Sequence, residues 1–83
     1  MRLAPGLGWT MIDDEAVVVD LPRRRFVGLN PSGSFIWARI GSASEDEIAA
    51  ALADAFEVDA GRAREDVRTF LARLRDRGFL EVP

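Results

Sequence analysis

The side chains of this sequence that could take part in chemistry are carboxylates, hydroxyls and guanidinium groups. Its 83 residues include 14 acids and 11 arginines but no cysteine, histidine or lysine. The chain therefore lacks thiolate and imidazole zinc ligands, an imidazole base, a thiol nucleophile and a Schiff-base amine. Two carboxylates can hydrolyse a glycoside, but only in a deep cleft that so short a chain rarely builds. We expect no enzyme activity, no catalytic residue, no metal site and no cofactor.

Two local patterns resemble ligand sites but lack the required spacing. Asp13-Asp14-Glu15 does not have the ligand spacing of a calcium-binding EF-hand loop and is typical of a solvated turn. The glycines at positions 6, 8 and 28 form neither a dinucleotide-binding nor a Walker motif. Neither pattern predicts a cation or phosphate site.

The arginines are unevenly distributed along the chain. Residues 1–61 contain five arginines and ten acids, whereas residues 62–77 contain six arginines and three acids. Within the second segment, four residues at i, i+4, i+7 and i+11 share one helical stripe beside the core-facing side: Arg64, Arg68, Leu71 and Arg75. The stripe is compatible with a binding surface or with a solvated helix face carrying ordinary ion pairs.

A second basic cluster, Arg23-Arg24-Arg25, lies where a turn leads into a short apolar run. Charges at the start of an edge strand often protect that edge against aggregation. Beside a basic helix, however, a basic edge strand also makes a groove suited to an extended acidic peptide. The two clusters together therefore favour a peptide-binding module of acidic overall charge, with a net charge of −3.

Strands are predicted in the first third of the chain, and they position the cluster Arg23-Arg24-Arg25. Residues 9–12, 16–19 and 25–29 are β-branched or apolar runs separated by turn-like segments, Asp13-Asp14-Glu15 and Leu21-Pro22-Arg23. Three strands at this spacing predict an antiparallel meander.

Three helices are predicted after the strands. Asn30-Pro31 can begin the first, the capping box from Ser44 to Glu47 the second, and Asp59 the third, which Gly78 ends. Strands followed by helices predict an α+β fold with the helices on one face of the sheet. The expected buried positions are Ile36, Trp37 and Ile40, then Ile48, Leu52, Ala55 and Phe56, then Val67, Phe70, Leu71 and Leu74, with a packed tail at 79–82.

Length and terminal composition give the remaining expectations. A chain of 83 residues fits one domain, spanning residues 1–83. Residues 1–9 lack the apolar segment of a signal peptide, and no run reaches membrane-spanning length. We expect a cytoplasmic protein with no membrane partner.

Motifs along most of the chain resemble those of the PqqD-like family. The resemblance is carried by Val17-Val18-Val19, by Leu29-Asn30-Pro31-Ser32-Gly33-Ser34-Phe35-Ile36-Trp37, by Ser44 to Ile48, by Asp66 to Leu74 and by Gly78-Phe79-Leu80. These elements extend from about residue 8 to residue 82, in the order and spacing of the family. The Asn-Pro-Ser-Gly junction is most similar to stand-alone lasso-peptide members.

The resemblance implies a winged helix-turn-helix-like fold, with three strands and three helices. It also implies that the chain binds the leader segment of a ribosomally made precursor peptide as a strand added to the third strand, beside the third helix. The bound precursor would be presented to a separate maturation enzyme, a lasso-type leader peptidase or a radical-SAM enzyme. By position, the peptide-facing residues would be Arg24, Arg25, Phe26, Val27, Gly28, Leu29, Arg64, Val67, Arg68, Leu71 and Arg75.

Two alternatives belong to other functional classes. A basic third helix in a possible helix-turn-helix is compatible with a DNA-binding winged-helix transcription factor. A sequence pI near 4.8 argues against it, since DNA-binding domains are usually basic, and we expect no nucleic-acid partner. A homodimer that buries its own sheet edge is the other alternative.

Overall fold

The computed structural model describes residues 1–81. Its elements in chain order are β1 (Arg2–Leu3), β2 (Leu7–Ile12), β3 (Glu15–Asp20), β4 (Arg25–Gly28), α1 (Pro31–Trp37), α2 (Glu45–Phe56), α3 (Ala60–Asp76) and β5 (Leu80–Glu81). Strands β2, β3 and β4 form an antiparallel sheet in that spatial order. The prediction of an α+β fold, with a three-stranded antiparallel sheet followed by three helices, is confirmed.

The central strand β3 shows why the helices cover one face of the sheet. Its residues alternate, with Ala16, Val18 and Asp20 buried and Val17 and Val19 half-buried. Successive side chains of a strand point to opposite faces, so the first set packs against the helices. The sheet therefore has a covered inner face and an open outer face.

Each helix begins at the capping residue that the sequence predicts. The Asn30 side chain accepts a hydrogen bond from the Gly33 N–H at 2.8 Å, and Asp59 accepts one from the Arg62 N–H at 3.1 Å. The Ser44 hydroxyl and the Glu47 carboxylate complete a reciprocal capping box. These bonds satisfy N–H groups that a helix leaves unpaired at its first turn.

The core lies between the inner sheet face and the three helices. Helix α3 contributes its buried stripe at four positions, Ala63, Val67, Leu71 and Leu74. The prediction for α2 is wrong at its C-terminal end, because Ala55 and Phe56 are exposed and Ala49 is buried instead. Phe56 packs edge-on against Phe35, with ring centroids 5.4 Å apart, which places it at the margin of the core.

A second, two-stranded sheet joins the two ends of the described chain and was not predicted. Strands β1 and β5 pair antiparallel, with Leu3 opposite Leu80. The Ala4 N–H extends the pairing to the Phe79 carbonyl at 2.9 Å. In the predicted tail, Phe79 and Leu80 are buried and Leu80 begins β5. The last expected residue of the tail, Val82, lies outside the described residues.

Candidate functional site

Strand β4 is the terminal strand of the three-stranded sheet, and one of its edges is unpaired within residues 1–81. Just beyond it, the Leu29 N–H donates to the Ala16 carbonyl of β3 at 2.9 Å. Backbone groups of an antiparallel strand alternate between its two sides, so Arg25 and Val27 also direct their N–H and C=O groups toward β3. Phe26 and Gly28 therefore direct theirs toward the open edge, which resolves an orientation that the sequence leaves open.

The side chains of β4 follow the same alternation. Val27 and Leu29 are half-buried and pack against the core. Phe26 is 77% exposed on the outer face. A Cβ atom at Gly28 would meet no other atom within 4 Å. At the open edge, Phe26 and Gly28 each present an unpaired N–H and an unpaired C=O group. On the outer face this edge is bordered by the exposed Phe26 ring and by the open space at Gly28.

A buried hydroxyl fixes the C-terminal end of β4. The Ser34 side chain is fully buried in α1. Its oxygen accepts from the Ala16 N–H at 2.7 Å and donates to the Leu29 carbonyl at 3.2 Å. Ser34 thereby replaces the ladder bond that these two groups would otherwise make, and it fastens both strands to α1.

Arg25 fixes the opposite end of β4. Its Nε donates to the buried Asp20 carboxylate at 2.8 Å, and its Nη2 donates to the backbone carbonyl of Arg77 at the end of α3. The guanidinium carbon lies 4.3 Å from the centroid of the Phe79 ring. Arg25, expected to face a peptide, is therefore mostly engaged in holding β4 against α3.

The charge of Asp20 depends on these arginines. Burial is the strongest single influence and raises its pKa, but it is outweighed by hydrogen bonds from the Arg25 side chain and the Arg23 backbone and by the positive charge of both arginines. The net result lowers the pKa of Asp20 below its ordinary value of 3.8. The ionised carboxylate therefore stabilises the folded state.

We expect Asp20→Asn to make folding less sensitive to acid. Because the folded-state pKa lies below the unfolded-state value, the stabilisation is present above the unfolded pKa and is lost as pH falls through the folded pKa. Thermal unfolding of both proteins from about pH 7 to about pH 2 measures this: the wild type should lose its advantage over the variant below about pH 4. Asp14→Asn, in the exposed β2–β3 turn, is the control. An unchanged difference between wild type and Asp20→Asn at every pH would contradict the assignment.

One flank of α3 contacts the start of β4 and, beyond the end of β4, the first turn of α1. At the start of β4, the Arg25 side chain contacts this flank by donating a hydrogen bond to the Arg77 carbonyl. Beyond the end of β4, the Phe70 ring lies 2.9 Å from the place that a Cβ atom at Gly33 would occupy. Arg73 lines a depression there together with Asn30 and Gly33. We call the open edge of β4 and this flank of α3, at Phe70, Arg73 and Arg77, the edge cleft.

The structure places the predicted basic stripe outside the edge cleft. Successive helical residues turn by about 100°, so Arg64, Arg68 and Arg75 lie on one side of the buried stripe and Phe70, Arg73 and Arg77 on the other. Arg75 lines a separate depression with the loop at 41–45 and Leu80. The stripe was expected to border the peptide groove, and helical geometry instead places it on the side of the α3 core residues away from Phe70, Arg73 and Arg77. Helical spacing identified a stripe beside the buried residues of α3. It could not specify which of the two flanks of those residues meets β4.

Val67 and Leu71, also expected to face a peptide, are 0% and 1% exposed and belong to the core. They support α3 from within and have almost no surface for a ligand. The accessible residues on the flank of α3 that meets β4 are Phe70, Arg73 and Arg77. Their i, i+3 and i+7 spacing was visible in the sequence, but Phe70 was assigned wholly to the core and is half-buried.

Arg24, the first residue of the expected peptide-facing set, is exposed in the turn before β4. Its φ angle is +54°, in the left-handed region, and its N–H donates to the Leu21 carbonyl at 3.2 Å. Its side chain makes no ion pair with any residue of the part of the chain that the structure describes. Arg24 thus adds a free positive charge beside the edge cleft.

Within residues 1–81 no three acidic side chains come close enough together to hold a metal ion. No helix in the same range combines the length and the apolar character needed to cross a membrane.

Comparison with known proteins agrees with this fold. No curated protein matches the chain. Among solved structures, TbiB1 in complex with the TbiA(beta) leader peptide is 30% identical and superposes with a TM-score of 0.92, over 100% of this chain and 98% of that one. Lasso peptide synthetase B1 complexed with the leader peptide is 24% identical with a TM-score of 0.84, over 94% and 93% of the two chains, and this second likeness concerns the fold alone.

The family comparison covers most of the chain. The model for coenzyme PQQ synthesis protein D (PqqD) matches residues 15–80, from the start of β3 to the start of β5. That range includes β4 and all three helices, and with them the whole edge cleft. This match, together with the 30% identity to TbiB1 along its full length, shows that the chain belongs to the PqqD family.

Proposed function

We propose that this protein binds the leader segment of a ribosomally made precursor peptide as a fourth strand on β4. The observation that carries the proposal is the open edge of β4, where Phe26 and Gly28 offer unpaired N–H and C=O groups beside α3. Strand addition satisfies such groups with main-chain hydrogen bonds and leaves specificity to neighbouring side chains. The 30% identical TbiB1 holds a leader peptide, which supports this occupant over others.

The role that follows is presentation of the precursor to a separate maturation enzyme, a leader peptidase or a radical-SAM enzyme. The chain itself supplies no thiol, imidazole or amine for catalysis, so the chemistry would belong to that partner. Lasso-peptide maturation is the pathway class that the resemblance at the Asn-Pro-Ser-Gly junction favours. DNA binding is not favoured, because the protein is acidic and Arg75, at the end of the basic stripe, lines a depression together with Glu45, Glu47 and Glu81.

The direct test uses the TbiA(beta) leader peptide as the probe and isotope-labelled protein as the reporter. We expect the backbone amide signals of Phe26 and Gly28 to shift on titration and to become protected from exchange, because they acquire hydrogen-bond partners. Amides of α3 near Phe70 and Arg73 should shift as well, whereas those near Arg64 and Arg68 should change little.

A scrambled leader of the same composition is the matched control, since it preserves charge and length. Equal binding of the scrambled peptide, or shifts confined to the Arg64 and Arg68 flank, would contradict strand addition at β4. Measuring the size of the protein with and without peptide separates a complex with the leader from a homodimer on the same edge, because the dimer would form without peptide.

A further inference from the structure

Four arginine residues lie at the end of the edge cleft where β4 begins, because the Arg25 side chain donates to the Arg77 carbonyl and Arg23 packs at Gly78. Arg23, Arg24 and Arg25 belong to the turn and the first residue of β4, and Arg77 ends α3. Gly78, with φ of +79°, turns the chain beneath Arg23, whose Nη2 lies 2.9 Å from the place that a Cβ atom at Gly78 would occupy. The Arg23 guanidinium therefore lies directly against the turn that follows α3.

The carboxylate available within this cluster is already occupied. Asp20 is fully buried and pairs with Arg25 at 2.8 Å and with Arg23 at 3.4 Å. Arg24 and Arg77 make no ion pair within residues 1–81. Asp76 precedes Arg77 in α3, but its position on the helix is opposite the buried stripe, so it points away from β4. The cluster therefore carries excess positive charge at one end of the cleft.

The other end of the edge cleft has a different charge. There, Arg73 shares its depression with Glu65 and Asp66, and Asp66 also pairs with Arg62 at 3.6 Å. Acidic and basic side chains are balanced at this end. A strand lying along β4 would thus run from a mixed environment to a strongly basic one.

We propose that this arginine cluster is an anion site that takes a carboxylate from the leader segment C-terminal to the paired strand, with Arg24 and Arg77 as the contacting residues. The inference rests on the proposed function and adds that the leader is acidic on the C-terminal side of the paired strand. The sheet is antiparallel throughout, and antiparallel pairing is somewhat more stable per residue than parallel pairing. A strand antiparallel to β4 ends beside the beginning of β4, which places its C-terminal flank at the cluster.

The test compares four peptides built on the TbiA(beta) leader. Two carry a pair of glutamates either after or before the strand segment, and two carry glutamines at the same places. For the wild-type protein, we expect glutamates after the strand to strengthen binding about fivefold over glutamines, as for a partly exposed charge contact. Glutamates before the strand should have little effect, and the preference should weaken as salt is raised, because exposed charges are screened.

Two double variants with the same change of charge locate the effect. Arg24→Gln with Arg77→Gln should abolish the preference for C-terminal glutamates, measured as the ratio of the affinities of this variant for the glutamate and glutamine peptides, whatever the absolute affinities are. Arg64→Gln with Arg68→Gln, on the other flank of α3, should leave the preference intact. The backbone carbonyl of Arg77 that Arg25 needs is retained in the first variant, and circular dichroism verifies that both variants fold.

The outcomes are separable. A preference that survives in the Arg24 and Arg77 variant, or a preference for N-terminal glutamates, overturns the anion site. Peptide binding at β4 with no charge preference overturns the anion site and leaves the proposed function standing. Failure of every peptide to perturb β4 overturns both.

Discussion

Proline substitutions at two adjacent positions of β4 are expected to have opposite consequences. Val27→Pro should destabilise the fold by roughly 2–4 kcal/mol, because it removes an N–H that faces β3 and leaves a buried carbonyl partner unsatisfied. For a domain of this size, that lowers the melting temperature by about 10 °C or more. Gly28→Pro should leave the fold intact, since the N–H of Gly28 faces the open edge.

The same Gly28→Pro variant should bind the leader peptide at least about tenfold more weakly than wild type, a difference of about 1.4 kcal/mol. The added strand would lose one main-chain donor, and the pyrrolidine ring would stand in its path. Gly28→Ala is the matched control: it keeps the N–H, and its Cβ atom meets nothing within 4 Å. Melting curves and calorimetric titration measure the two effects.

Each half of this prediction can fail separately. If Gly28→Pro is folded and binds the leader as well as wild type does, the peptide does not pair with β4. If Val27→Pro melts at the wild-type temperature, the alternation inferred from the Leu29 bond to Ala16 is incorrect.

Replacing Ser34 by alanine should be among the most destabilising single-atom deletions in the chain. The hydroxyl satisfies the Ala16 N–H and the Leu29 carbonyl simultaneously. Each unsatisfied buried backbone group costs roughly 1–3 kcal/mol, so we expect a loss of about 2–4 kcal/mol in the free energy of unfolding. Chemical denaturation measures it.

Ser42→Ala is the control for Ser34→Ala. The Ser42 hydroxyl donates to the Arg39 carbonyl at 3.2 Å in an exposed turn, where water can replace it, so its loss should be within about 0.5 kcal/mol. A loss below about 1 kcal/mol for Ser34→Ala would show that the two backbone groups find other partners.

The sequence predicted those parts of the fold that depend on local chemistry. The caps at Asn30, Ser44 and Asp59 satisfy backbone groups within three residues, so the residue pattern alone specifies where the helices begin. Helical periodicity likewise identified three of the four buried α3 positions, Val67, Leu71 and Leu74, but it missed Ala63. The paired strands β1 and β5 escaped prediction because each has two residues, too few to show an alternation.

The site was harder to predict because it depends on contacts between distant segments. Helical spacing placed Arg64, Arg68 and Arg75 on a common stripe but could not specify which flank of α3 meets β4. That orientation is fixed by Arg25 reaching Arg77 and by Phe70 packing at Gly33. The direction of the β4 backbone groups depends in the same way on a bond between Leu29 and Ala16, which no short segment of sequence encodes.

The Arg25 anchor also has a consequence for the order in which the protein acquires its binding edge during synthesis on the ribosome. Its partner carbonyl, that of Arg77, lies 52 positions further along the chain, and the Phe79 ring on which it rests follows two residues later. Strand β4 therefore leaves the ribosome long before the residues that hold its beginning in place. A nascent chain stalled within α3 would contain every residue of the strand yet lack the support that fixes its beginning, so this end of the binding edge would become ordered only after Phe79 has emerged from the ribosome.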